Sequence, residues 1–245
     1  MSSDYFGLYE NLNEIQKLIL ESSSKWVNQY VRPNIQKSFI SGTPINLKQQ
    51  LAELGAFGSI FPEKYGGHNL DYISYGLMMK ELEKGDSSVR VMSSIQTSLV
   101  MYAIFNFGSE EQKNKYLKDL SNGKITGSFA MSEPSHGSDI SNMNTKFYFD
   151  NNDIIINGSK LWIGNAEESD ISIVWAKNDE GDVQGIIVDT NDISNFKSTT
   201  IKNKWSFRSS HTGELFFDKS HVPKSQLLPK SKSIKDVYKC LNIGR

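Results

Sequence analysis

At 245 residues, with 38% apolar and 22% charged positions and a formal net charge of −1, the chain can bury one or two cores. Near-neutral charge offers no cationic excess for a phosphate backbone, so nucleic acid is not an expected partner. A single cysteine, Cys240, excludes an internal disulfide framework, and the scattered His68, His136, His211 and His221 lack zinc-ligand spacing.

The first half reads as helices. Leu8, Leu12, Ile15, Ile19, Trp26 and Tyr30 recur at three- and four-residue steps and predict an apolar stripe ending at Pro33. Asn46 is the expected N-cap of a short helix carrying Leu47, Leu51 and Leu54, with Gly55 as its stop. Asp71 opens another helix, with Tyr72, Tyr75, Met79 and Leu82 facing inward. Asp86 opens a longer one through Val89, Met92, Leu99, Tyr102 and Phe105 to a stop near Gly108. Ser109 with Gln112 forms a capping box for a helix reaching Leu120. Acidic Asp4, Glu10 and Glu14 near the start argue against a secretory signal, and no apolar run reaches membrane-spanning length. A cytoplasmic protein is expected, or one of the mitochondrial matrix in a eukaryote.

From Ile125 the texture changes to short β-prone runs: Ile125–Met131, Met143–Asp150, Asp153–Asn157, Ile171–Lys177, Gln184–Asp189 and Gly213–Phe217. Asn151-Asn152 fits a hairpin turn between two of them. These runs predict a small antiparallel barrel or sandwich. Pro223 and Pro229 bracket a linker, and Ser233 to Arg245 starts a further helix. The expected class is therefore α+β, an all-helical N-terminal domain (1–124) followed by an antiparallel β-barrel middle domain (125–229).

The segment Phe129-Ala130-Met131-Ser132-Glu133-Pro134-Ser135-His136-Gly137-Ser138-Asp139 is the most informative. A strand runs into Pro134, which removes a donor, and Gly137 lets backbone approach a ligand. Exposed N–H groups with the hydroxyls of Ser132 and Ser138 suit a heterocycle edge and a pyrophosphate. On these grounds alone an ordinary strand-and-turn is the better explanation of the same residues. A serine hydrolase based on Ser135-His136 or Ser138-Asp139 is not supported, because adjacent strand residues point to opposite faces and no nucleophile elbow is present.

This segment resembles the flavin-binding signature of acyl-CoA dehydrogenases. Asn157-Gly158-Ser159-Lys160-Leu161-Trp162-Ile163-Gly164-Asn165 is similar to the family's second flavin strand. Phe61-Pro62-Glu63-Lys64-Tyr65-Gly66-Gly67, Phe107-Gly108-Ser109-Glu110-Glu111-Gln112-Lys113 and Arg208-Ser209-Ser210-His211-Thr212-Gly213-Glu214 fall in order where the family has similar segments. The resemblance implies FAD held against the barrel, with Phe129, Met131 and Ser132 along the isoalloxazine and Trp162 and Ile163 beside it. Gly137 and Ser138 would lie near the pyrophosphate or the acyl-CoA thioester arm. Gly164 departs from the family's usual Thr or Ser, whose hydroxyl is expected on flavin N5. Losing such a neutral hydrogen bond costs about 0.5–1.5 kcal/mol.

Asp86-Ser87-Ser88-Val89-Arg90-Val91-Met92-Ser93-Ser94-Ile95-Gln96 looks like the glutaryl-CoA dehydrogenase branch. There Arg90 would face the acyl end of the cavity, its planar fork suited to a terminal carboxylate, and Ser94 lies one helical turn on. The competing reading pairs Arg90 with Asp86 on an exposed helix surface. The implied reaction is α,β-dehydrogenation of glutaryl-CoA with decarboxylation to crotonyl-CoA, the electrons leaving to an electron-transfer flavoprotein. The resemblance places the glutamate base in a C-terminal helical domain of which residues 230–245 would be the start, so no catalytic residue is assigned. Three readings follow: the chain is a truncated fragment, one half of a split enzyme completed by a second chain, or a non-catalytic remnant that binds acyl-CoA or a partner.

Overall fold

The computed structural model describes residues 4, 6–42 and 45–244; Arg245, the last residue of the predicted C-terminal segment, lies outside them. Asn13 begins the helical half. Its side chain accepts from the Gln16 backbone N–H while Gln16 bonds back to the Asn13 N–H, a capping box that fixes the start of α1 (Glu14–Trp26). The predicted stripe is therefore corrected at its front: Leu8 precedes the helix, and both it and Ile15 are exposed. A π turn, Val27–Val31, continues α1 to the residues before Pro33. α2 (Ile35–Ser41) was not anticipated, because it follows a proline at once and has no side-chain cap.

α3 (Lys48–Glu53) starts one residue later than expected, with Leu47 rather than Asn46 at the cap position and no side chain closing it. Asp71 caps α4 (Tyr72–Gly85) by accepting from the Ser74 N–H at 2.7 Å. Tyr75 and Leu82 point inward as predicted, but Tyr72 is 63% exposed. Asp86 caps α5 (Ser87–Ser94), which passes through a π segment, Ile95–Met101, into α6 (Tyr102–Phe107), so the long predicted helix is continuous but irregular. The Ser109–Gln112 capping box opens α7 (Glu110–Ser121).

The β half comprises β1 (Gly127–Ala130), β2 (Lys146–Asp150), β3 (Asp153–Gly164), β4 (Ile171–Lys177), β5 (Val183–Asp189), β6 (Phe196–Thr200) and β7 (Thr212–Pro223). They form one seven-stranded sheet, order β1-β4-β2-β3-β7-β6 with β5 paired to β4. It curls about its own core, the barrel-like alternative. Pairing is antiparallel except that β1 runs parallel to β4 and Lys146 pairs in parallel with Lys177. β6 was unread because its Lys and Thr positions interrupt the apolar alternation.

β1 and β4 are buried on both faces, which is why Ile171–Lys177 reads as a continuous apolar run. Ala130, Val174 and Ala176 face the core inside the curled sheet, with Phe147, Ile156, Leu215 and Phe217. Phe129, Ile173 and Trp175 face the opposite way, onto Met101, Ile104, Leu117 and Leu120 of the helices. Each such fully buried side chain contributes about 1.5–3 kcal/mol. Gln96, buried in the π segment, donates to the Leu120 and Ile125 carbonyls and accepts from the Gly127 N–H, so one amide stitches the helices to the start of β1.

α8 (Ile234–Gly244) packs Val237 and Cys240 on the same helical core. Burial pushes the Cys240 thiol up to about 12, so the reactive thiolate is scarce. The single cysteine should stay silent to a disulfide-exchange reagent at mildly alkaline pH and react fully once the chain is unfolded in denaturant. Rapid reaction of the native chain would show that α8 does not dock. No helix among the described residues is long and apolar enough to cross a membrane.

Candidate functional site

One side of α4 from Tyr72 to Glu83, the second half of α5 and the end of α8 line an open cavity of about 850 Å³. Tyr75, Gly76 and Met79 of α4, Arg90 and Ser94 of α5, and Gly244 of α8 are on its wall. Arg90 and Ser94 share one face because they lie four residues apart. Asp86 does not pair with Arg90, since its carboxylate is spent on the Ser88 N–H as the α5 cap. Arg90 instead donates from Nε to Glu83 Oε2 at 2.7 Å. Partial burial pushes the Glu83 carboxyl up, but Arg90 and the Ser87 hydroxyl more than offset this and hold it below the usual range. Arg90 makes no other hydrogen bond among the described residues, so both Nη groups are free to donate.

A second surface lies where β1 leaves the sheet. Phe129 is buried against Trp175, ring centroids 5.9 Å apart, so its ring serves the core. Met131, two residues on, shares that face at the edge of the helical core and is half-buried, as is Ser132. The Ser132 carbonyl accepts from the Leu161 N–H at 2.8 Å, which brings Trp162 alongside. Trp162 sits at φ 64° on a β-bulge between Leu161 and Ile163, with its side chain 61% exposed. A bulky residue in the left-handed region is strained, and strain of this kind collects at ligand sites.

Ile163 does not join that surface: its side chain is buried in the sheet's interior core. Gly164 backs onto the π segment, where a Cβ would meet Ile95 Cδ1 at 2.4 Å. Gly137 and Ser138 lie exposed in the turn after β1. Nothing lies within 4 Å of a Cβ built at Gly137, and its φ is not left-handed, so neither packing nor the turn demands glycine there.

Beneath this surface Glu133, whose place in the motif suggests a structural use, forms a buried ion pair with Lys160, a partner that no local pattern signals. Lys160 is 0% exposed and donates from Nζ to the Met131 carbonyl at 3.0 Å and to Glu133 Oε1 at 2.9 Å. Glu133 also accepts from the Asn144 and Thr145 N–H groups. Burial brings the Lys160 pKa down to about 8 against the pull of Glu133. The pair ties three chain segments together directly under Met131 and Ser132.

Residues 13–124 match the family described as "Acyl-CoA dehydrogenase, N-terminal domain", and residues 128–220 match "Acyl-CoA dehydrogenase, middle domain". The chain belongs to the acyl-CoA dehydrogenase family. Among solved structures it is similar to a glutaryl-CoA dehydrogenase from Mycobacterium smegmatis in complex with FADH2, at 35% identity and TM-score 0.95, covering 98% of this chain and 61% of that one. It is also similar to a structure of the electron transferring flavoprotein of Acidaminococcus fermentans, at 32% identity and TM-score 0.90, covering 96% and 63%. The mitochondrial isovaleryl-CoA dehydrogenase of Pongo abelii is 32% identical over 225 residues, 89% of this chain and 53% of that protein. The chain thus spans between 53% and 63% of the length of these three proteins.

Proposed function

We propose that this chain carries the flavin-facing and acyl-binding surfaces of an FAD-dependent acyl-CoA dehydrogenase whose substrate is a dicarboxylyl thioester, glutaryl-CoA foremost, decarboxylated to crotonyl-CoA. The observation that carries the substrate reading is Arg90. Its guanidinium lies in the cavity wall with two unspent Nη groups, a geometry that suits the two oxygens of a carboxylate. A branched apolar acyl group, such as the one named in the isovaleryl relative, would desolvate the Arg90–Glu83 pair without supplying an acceptor.

The residues of the second surface fit FAD. A half-buried Met131 and Ser132, an indole held open on a bulge, and a glycine whose Cβ would meet only open space leave room for a planar ring and a pyrophosphate. When bound, FAD would accept the hydride leaving the acyl β-carbon. Met131, Ser132 and Trp162 would border the ring, and Gly137 and Ser138 the pyrophosphate. Phe129 and Ile163 would act from the core behind it, and Gly164 would offer its backbone N–H alone. Glu83 is the only carboxylate on the cavity wall among the described residues. Against its partial burial, Arg90 and the Ser87 hydroxyl hold its pKa down and so weaken it as a proton acceptor. We therefore assign the base to no residue of 4–244 and propose that a further segment or a second chain supplies it. The electron acceptor we propose is an electron-transferring flavoprotein.

The test is competitive binding of glutaryl-CoA and isovaleryl-CoA to the FAD-loaded protein. One charge-assisted hydrogen bond corresponds to a preference of about tenfold or more for glutaryl-CoA. Equal affinities would sink the dicarboxylyl reading.

A further inference from the structure

The ammonium buried beneath the second surface is bonded to a peptide group whose other end the fold does not use. Lys160 is 0% exposed, and its Nζ donates to the Met131 carbonyl at 3.0 Å and to Glu133 Oε1 at 2.9 Å. The Met131 carbonyl and the Ser132 N–H belong to one peptide unit. No peptide bond among the described residues is cis, so these two groups point in opposite directions. The carbonyl points at the buried ammonium, and the N–H points the other way. The neighbouring groups are spent, the Ser132 carbonyl on the Leu161 N–H at 2.8 Å and the Glu133 N–H on the His136 carbonyl at 3.0 Å. The Ser132 N–H donates to no group among the described residues, although Ser132 is half-buried.

Hydrogen bonds in a chain polarise one another, and a charged donor on a carbonyl makes the N–H of the same peptide a stronger donor. Stability alone does not call for such an arrangement, because a buried ion pair can be replaced by apolar residues at little cost. An isoalloxazine carries its acceptors on the pyrimidine half, and reduction places added negative charge there. We infer that Lys160 is a positioning residue for the flavin: its ammonium fixes and polarises the Met131–Ser132 peptide, whose N–H is donated to the acceptor edge of the ring. A donor strengthened in this way holds the reduced flavin more tightly than the oxidised one. This rests on the flavin-facing reading above and adds to it a reason for burying a lysine under that face.

Lys160→Met with Glu133→Gln removes both charges together, which spares the fold while leaving the peptide unpolarised. With FAD bound at pH 7, the double variant should hold reduced flavin about two- to tenfold less tightly relative to oxidised flavin. For a two-electron couple that is a midpoint potential lower by about 10–30 mV. In FAD labelled with ¹³C at its pyrimidine carbonyls, the infrared stretch of one carbonyl should lie at higher frequency in the variant than in the parent. Lys160→Gln with Glu133→Gln keeps a neutral donor for the Met131 carbonyl, and its potential should fall between the two. A merely structural role would weaken both redox states alike. An unchanged potential and carbonyl stretch, or an equal loss of oxidised and reduced FAD, overturns the role of Lys160 alone. Absence of FAD binding by the parent overturns the flavin-facing reading, and the Lys160 role with it.

Discussion

Lys160→Met is expected to lower folding stability by about 3–5 kcal/mol, the range for removing one partner of a buried ion pair. Lys160 and Glu133 have almost no solvent contact, and methionine removes the counter-charge while leaving the carboxylate in place. The damage should be local as well as global, because the Met131 carbonyl loses its donor in the segment assigned to the flavin ring. Adding Glu133→Gln should restore a large part of the loss, since no uncompensated charge then remains buried. The pH dependence has a definite sign. The folded value for Lys160, about 8, lies below its ordinary 10.5, so between them the unfolded state binds more protons and stability rises with pH. For Glu133, burial raises the carboxyl, but Lys160 and the groups of Thr145 and Asn144 more than offset it. Its contribution is present above the ordinary carboxylate value and lost as pH falls through the depressed one. Urea midpoints measured across pH for the parent and Lys160→Met should differ most in slope between about pH 8 and 10.5. Identical slopes and a loss below about 1 kcal/mol would mean that the pair is not buried as described.

Arg90→Met is expected to weaken glutaryl-CoA binding by about ten- to a hundredfold, the equivalent of one strong charge-assisted contact. Isovaleryl-CoA should bind as before or more tightly, because the pair no longer has to be desolvated. Arg90→Lys keeps the charge but not the planar fork, and should fall between the two. Stability should change little: Glu83 is well exposed and keeps its Ser87 partner, and exposed pairs are worth at most about 1 kcal/mol. Calorimetric titration separates the effects, and an equal loss for both thioesters would place Arg90 outside the substrate's distal end.

Much of the fold was legible because its signals are local. Asp71, Asp86 and Ser109 each cap a helix as read, and Ile171–Lys177 is a strand with the boundaries its apolar run suggested. Errors arose where periodicity alone was used. Leu8 and Ile15 fit a helical repeat, yet the Asn13–Gln16 capping box sets both the start of α1 and the face it buries. β3 continues past Asn157 to Gly164 because two bulges let it follow β7, and a bulge leaves no signal in composition. At the site, Arg90 was legible only through the resemblance, Ser94 then followed from lying four residues on, and the turn at Pro134 and Gly137 was legible from its residue types. The Glu83 partner of Arg90 was not, because the helix boundary between them is set by Asp86 turning to cap α5. Nor was the Lys160–Glu133 pair, whose members are distant in sequence and meet only when β3 passes beneath the end of β1. Tyr75 could be read as an inward-facing residue from its place in the α4 repeat, and it is buried there.

The central claim is that this chain presents a flavin-binding face, and titrating it with FAD while recording the visible absorbance and the tryptophan fluorescence tests that most directly. The expected result is a saturable change in the flavin band with quenching that Trp162→Phe largely removes, since Trp162 is the exposed indole on that face. A flavin spectrum that stays that of free FAD at every protein concentration, with fluorescence unquenched, would contradict it.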